Sequence, residues 1–298
     1  MKEQTLFVAG AGFMGTGIVQ NAAMKGVPVT LYDISELNLQ RGEANLKKAF
    51  AREIKKERMT QEEVNACMER INFTSKIRDC KNADFIIEAI IENEKIKGEM
   101  FSMLDNFIKE DAIMASNTSS ISITTLASNM EDPSRFLGMH FFSPVPKMVL
   151  MELVRGLRTS EDTISRARKF SERMGKDCIV SQDEPGFIVN RMLLPMLNEA
   201  CVLVGRGVGT IEEIDKGAKL GLNHPMGPLE LVDMIGIDVE LAVMEVLRDI
   251  TGDQKYRPDV LLRKMVDAGY VGRKAGKGFY IYHENGTRTI NTDIIKHF

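Results

Sequence analysis

The chain has 298 residues, 44% of them apolar, and a formal net charge of −3. That length fits one large domain or two ordinary ones, with enough apolar material for a sizeable core. The charge gives no case for nucleic-acid binding, no apolar run is long enough to span a bilayer, and the chain starts directly into a strand without signal- or transit-peptide composition.

Thr5 to Ala9 is a short apolar strand, followed by Gly10-Ala11-Gly12-Phe13-Met14-Gly15, a helix predicted from about Thr16 to Lys25, and a second strand, Val27 to Tyr32, ending at Asp33. This is a strand–helix–strand unit with GxGxxG in its first turn. The glycines allow a tight turn, close approach of backbone to a pyrophosphate and close helix–strand packing. The helix N-terminus offers free N–H groups to phosphates. Asp33 stands 21 residues after Gly12, where a carboxylate can bond an adenine ribose. Ile34-Ser35-Glu36 bring no arginine for a 2′-phosphate, so NAD is favoured over NADP. The plainer alternative is a glycine turn with no ligand.

Residues 35 to 71 read as a charged helical segment, with seven basic and four acidic residues between Glu36 and Arg58. Lys48, Arg52 and Lys56 recur every four residues and share a helix face, either as a phosphate-holding strip or as a solvated surface. Ala83 to Ile90 reads as a buried parallel strand. A helix follows to about Phe107, then a strand from Ala112 to Ser116 ending in Asn117-Thr118-Ser119-Ser120. Strand ends that face helix starts are where open α/β sheets bind ligands, so Ser119 could present a hydroxyl there; the run could equally be a helix cap.

Two apolar runs then flank Ser143-Pro144-Val145-Pro146. Paired antiparallel about Pro146, they make His140 and Glu152 cross-strand neighbours. A carboxylate holding an imidazole fixes its tautomer and stabilises the imidazolium during proton transfer; the bland reading is a core histidine near a chance glutamate. A helix from about Ser160 to Met174 and a strand near Cys178 to Val180 follow. Asp183-Glu184-Pro185-Gly186 is a break, after which the pattern turns helical. Phe187 to Val204 is apolar on most sides, a candidate core or subunit-interface helix, with Asn190 one turn in and in need of a polar partner. His224 lies in a Gly- and Pro-rich turn and reads as structural. A basic, glycine-rich turn at 272–280 leads to a short tail. Cys67, Cys80, Cys178 and Cys201 show no metal-ligand spacing, so no metal is expected and a reduced, cytoplasmic setting fits best.

Together GAGFMG, AIIEN at 89–93, SNTSS at 116–120, GMHFFSPVP at 138–146, EPGFIVNR at 184–191, KLGLNHPMGPLEL at 219–231 and GRKAGKGFY at 272–280 resemble the short-chain L-3-hydroxyacyl-CoA dehydrogenase family, and within it the bacterial 3-hydroxybutyryl-CoA dehydrogenases. The resemblance runs from about Leu6 to Tyr282. It implies a Rossmann-type, mostly parallel α/β domain over 1–184 with a helical arm near 36–71. An all-helical domain over 185–298 would then contribute to substrate binding and form a homodimer. It implies NAD as cofactor, held by Gly10, Gly12, Phe13, Met14, Gly15 and Asp33, with Glu92, Lys97, Asn117 and Ser143 near the nicotinamide end. It further implies His140 as general base, Glu152 as its orienter, Ser119 and Asn190 on the substrate's oxygens, and Arg52 and Lys56 against CoA. The site would lie in the cleft between the domains.

Two departures stand out. Most monofunctional members carry Asn where Ser143 stands, and the common pattern places the lysine of Lys147 two positions later, at Val149; both features resemble the dehydrogenase part of larger multifunctional proteins. The expected reaction is NAD-linked oxidation of an (S)-3-hydroxyacyl-CoA and its reverse. The alternatives are a dehydrogenase of a free hydroxy or sugar acid, or a non-catalytic NAD-binding homologue. The basic strip argues for a phosphate-bearing substrate, and an intact Ser119, His140, Glu152 and Asn190 set argues for catalysis.

Overall fold

The computed structural model describes residues 4–294. The first three residues and the end of the expected tail lie outside that range. The chain forms two units that divide between Phe187 and Ile188.

The first unit is built on one eight-stranded sheet. Its strands are β1 (Leu6–Ala9), β2 (Val29–Tyr32), β3 (Ile71–Thr74), β4 (Phe85–Glu88), β5 (Ile113–Ser116), β6 (Phe136–Phe141), β7 (Leu150–Arg155) and β8 (Asp177–Gln182). They lie in the order β3-β2-β1-β4-β5-β6-β7-β8, and only the β6–β7 pairing is antiparallel. Helices cover both faces: α1 (Phe13–Met24), α2 (Glu36–Lys55), α3 (Gln61–Glu69) and α6 (Glu161–Arg173) one side, α4 (Glu94–Asp105) and α5 (Ile123–Ala127) the other. The alternation of the strands decides this. In β1, Leu6 and Val8 join the first apolar cluster while Phe7 and Ala9 join the second. The strand order reverses between β1 and β4, which opens a crevice beyond their carboxyl ends.

The structure differs from the sequence expectation locally. α1 begins at Phe13, inside the glycine fingerprint, and not at Thr16. The stretch 35–71 is two helices. Ser35 caps α2, whose Leu39, Gly42, Leu46 and Phe50 face the core. Glu57 then takes a left-handed φ of 56°, and Thr60 and Glu63 form a capping box that starts α3. Ile71 opens β3, an edge strand too short and too mixed in polarity to stand out. Thr118 to Ser120 form no cap, because Ser122 caps α5 instead.

The second unit contains α7 (Val189–Gly205), α8 (Ile211–Gly221), α9 (Pro228–Ile235), α10 (Ile237–Thr251) and α11 (Val260–Asp267) around their own apolar cluster. A small hairpin, β9 (Tyr280–Tyr282) with β10 (Arg288–Ile290), was not expected and closes its end. α7 buries one face and leaves Met192 66% exposed, so it is not apolar-buried all round within the chain. Its start at Val189 puts Asn190 in the first turn. Among the described residues no helix is long and apolar enough to cross a membrane.

Candidate active site

β6 and β7 carry the central pair. Their register sets His140 opposite Glu152, as the symmetry about Pro146 requires. His140 Nδ1 and Glu152 Oε2 are 2.7 Å apart, and Glu152 is fully buried. A carboxylate can only accept, so Nδ1 carries the proton in the neutral ring and Nε2 is left with the lone pair. Phe142 and Phe187 flank the imidazole at 4.7 and 5.6 Å between ring centroids. The arrangement is a base of fixed tautomer, held by an apolar wall.

Next to it lie the ends of β4 and β5. Asn117 Oδ1 accepts the N–H of Phe141 at 2.9 Å, which ties the loop after β5 to the residue beside His140. Glu92 accepts hydrogen bonds from Thr118 Oγ1, from the Ser119 N–H at 3.2 Å and from Ser120 Oγ at 3.2 Å. Burial works against its charge, but the Lys97 ammonium and the bonds from Thr118, Lys97 and Ser119 outweigh it and hold its carboxyl below the ordinary value. Lys97 itself is only 1% exposed and sits between Glu88 at 2.6 Å and Glu92 at 3.0 Å.

The fingerprint shapes the other side. Gly10 has φ +114°, and a Cβ at Gly15 would collide with the Gly10 carbonyl oxygen. A Cβ at Gly12 would meet nothing, so the backbone there borders open space that a pyrophosphate can enter. Asp33, at the end of β2, accepts the Ala11 N–H at 3.0 Å and the Ser35 N–H at 3.0 Å, which ties the nucleotide turn to the second strand. These residues fit a dinucleotide. Phe13 is 76% exposed at the turn, while Met14 packs on the core.

A cleft of about 930 Å³ runs from Gly12 and Phe13 along α2 to the loop at Ser143 to Lys147. Lys48, Arg52 and Lys56 all line it, joined by Arg41, Arg58 and Lys147. Lys56 stands just past the last helical residue, yet still on this side. Lys47 and Arg58 pair with Glu43 and Glu53, whereas Lys48, Arg52 and Lys56 have no carboxylate partner among the described residues. Such a row of unpaired cations suits a polyanion. Asn190 belongs to the second unit, half-buried at the second residue of α7.

Residues 5–184 match the family model for the 3-hydroxyacyl-CoA dehydrogenase NAD-binding domain, and residues 186–282 match that for its C-terminal domain. The chain belongs to the 3-hydroxyacyl-CoA dehydrogenase family. It is 48% identical over 284 residues to a probable 3-hydroxybutyryl-CoA dehydrogenase of Bacillus subtilis (strain 168), covering 95% of this chain and 99% of the relative. It is 46% identical to a 3-hydroxybutyryl-CoA dehydrogenase of Bradyrhizobium diazoefficiens, with 92% and 94% covered. The crystal structure of (S)-3-hydroxybutyryl-CoA dehydrogenase PaaH1 from Ralstonia eutropha superposes with a TM-score of 0.90 at 47% identity, over 95% of this chain and 100% of that one. The activity is NAD-dependent oxidoreduction of 3-hydroxyacyl-CoA substrates.

The sequence reading passed over Glu88 and Ser116. The signal was present: a carboxylate closing the apolar run Phe85-Ile86-Ile87 is costly unless something pays it back. Lys176 gave no such signal. It is buried and donates to the Val145 and Met148 carbonyls at 2.5 and 2.8 Å, so it clamps the cleft loop. Burial and then Lys25 lower its pKa to about 8.

Proposed function

We propose that the chain interconverts (S)-3-hydroxybutyryl-CoA and acetoacetyl-CoA, with His140 as the general acid/base. The observation that carries this is the 2.7 Å contact between His140 and the buried Glu152, which leaves Nε2 as the nitrogen able to take the hydroxyl proton. NAD bound there would supply the acceptor for the hydride leaving C3. Glu152 stabilises the imidazolium that forms, and in the reverse direction that imidazolium returns the proton to the 3-oxo oxygen. Ser119 and Asn190 hold the reacting oxygen and the thioester carbonyl. Gly10, Gly12, Phe13, Met14, Gly15 and Asp33 hold the adenine half of the cofactor; Glu92, Asn117 and Ser143 stand at its nicotinamide end, with Lys97 acting behind Glu92. Arg52 and Lys56 meet the CoA phosphates. The short acyl chain is favoured by the names of the relatives with near-complete coverage.

The functional boundary falls at Pro185-Gly186, with the NAD-binding domain over 1–184 and the helical domain over 185–298. That second domain would carry a homodimer contact, since α10 leaves Val239, Val246 and Ile250 exposed in the single chain. A cytoplasmic setting agrees with four unpaired cysteines. The test follows NADH consumption with acetoacetyl-CoA, 3-oxohexanoyl-CoA and free acetoacetate. The four-carbon thioester should give the highest kcat/KM. Equal use of free acetoacetate would overturn the CoA assignment, and a preference for the six-carbon thioester would overturn the chain length.

A further inference from the structure

Glu88 is fully buried at the carboxyl end of β4, in register with Ala9 of β1 and Ser116 of β5. Its carboxylate accepts three hydrogen bonds: from the Ile90 N–H at 2.7 Å, from Lys97 Nζ at 2.6 Å and from Ser116 Oγ at 2.6 Å. Lys97 passes the connection to Glu92, and Glu92 passes it to Thr118, Ser119 and Ser120. Three charged groups thus run from the middle of the sheet to the loop that bears Ser119. Taking a lysine and a glutamate out of water is expensive, and apolar side chains of like volume would hold a strand end as well or better. What apolar packing cannot do is fix the direction of the loop's N–H and hydroxyl groups. Charged hydrogen bonds do that, because they are short and directional.

We propose that Glu88 is a positioning residue for the reaction: through Lys97 and Glu92 it locks the Ser119 loop in the geometry that meets the substrate oxygen. Lys97, only 1% exposed, is the buried link in this chain. The inference rests on Ser119 contacting substrate.

The test is a coupling experiment on the intact enzyme, reading kcat and KM for acetoacetyl-CoA with saturating NADH. Glu88→Gln alone would strand part of the Lys97 charge, so Glu88→Gln and Lys97→Met are combined to remove both buried charges together. A second variant, Glu92→Gln, keeps the buried pair and cuts the link at an exposed position. Each is made with Ser119 present and in a Ser119→Ala background. Both should lower kcat/KM by about tenfold when Ser119 is present and by less than about twofold when it is absent. Equal losses in the two backgrounds would mean the charges act independently of Ser119, on the fold or on the cofactor, and no loss in either would mean the network is idle; both results overturn the proposal. If Ser119→Ala alone leaves the constants unchanged, the role of Ser119 falls and takes this inference with it, and the Ser119→Ala measurement by itself identifies that case.

Discussion

In the first unit, the fully buried acids Glu88 and Glu152 each meet a nitrogen base: Lys97 Nζ at 2.6 Å and His140 Nδ1 at 2.7 Å. In the second unit, Asp215, Asp233 and Glu240 are also buried but form no ion pair among the described residues. Asp215 is held by the N–H groups of Leu229 and Glu230 and by the Tyr280 hydroxyl at 2.6 Å. Asp233 is held by the N–H groups of Phe279 and Tyr280 and by the Tyr282 hydroxyl. Glu240 has no hydrogen-bond partner among the described residues. Desolvation dominates all three, raising Asp215, pushing Asp233 up to about 6 and Glu240 up to about 8. A nitrogen base therefore stands beside each of these acids of the chemical site, whereas neutral donors stand beside Asp215 and Asp233, which knot the helical unit to its terminal hairpin.

The largest break in this contrast comes from His140→Gln. It leaves Glu152 buried without its base, and turnover should fall by roughly two to four orders of magnitude. NADH affinity, read by fluorescence titration, should hardly change. Near-normal turnover in this variant would remove His140 from the chemistry.

Glu240 breaks the contrast from the other side. Its carboxyl has an ordinary value near 4.5 and a folded value of about 8. The folded state therefore keeps a proton that the unfolded chain gives up. Its contribution is complete below about pH 4.5 and is lost as pH rises through about 8. Glu240→Leu should stabilise the protein at pH 8 by on the order of a few kcal/mol and flatten the fall in melting temperature above pH 6. An unchanged slope between pH 6 and pH 8 would show that Glu240 is not a neutral buried acid.

Asp33 is an intermediate case, a half-buried acid held by two N–H groups with room left for a ligand. Asp33→Ala should weaken NADH by about tenfold and erode the preference over NADPH, since its bonds to an adenine ribose and its repulsion of a 2′-phosphate go together. The comparison is the ratio of kcat/KM for the two cofactors. Equal use of both by the unaltered protein would contradict the role.

The smallest effect belongs to the exposed, unpaired cations. Arg52→Ala with Lys56→Ala should raise KM for acetoacetyl-CoA a few-fold, roughly, and leave kcat nearly intact, the pattern of lost uniform binding. The loss should shrink at high salt and with a thioester lacking the nucleotide. Identical constants for both thioesters would return the strip to plain solvated surface.

Much of the site was legible because its signals are local. GAGFMG after a strand places phosphate-facing N–H groups whatever the rest of the chain does, and the spacing of His140 and Glu152 about Pro146 already fixed their strand register. β3 and the β9–β10 hairpin were not legible. Their strands are only three or four residues long; β3 is paired by the distant β2, and the hairpin is too short for its alternation to show. The break between α2 and α3 was hidden because both helices are charged and the turn hinges on one left-handed residue, Glu57.

By itself, then, the sequence determined which residues could do chemistry: a base with an orienting acid, a nucleotide turn, a row of cations. Only the tertiary structure decided which charges are buried. Lys97 was expected beside the nicotinamide and Glu88 only as the end of a buried strand; their joint burial appears only when α4 folds over the ends of β4 and β5. The reason is that burial and pairing depend on groups far apart in the chain, while turn geometry and strand alternation depend on neighbours.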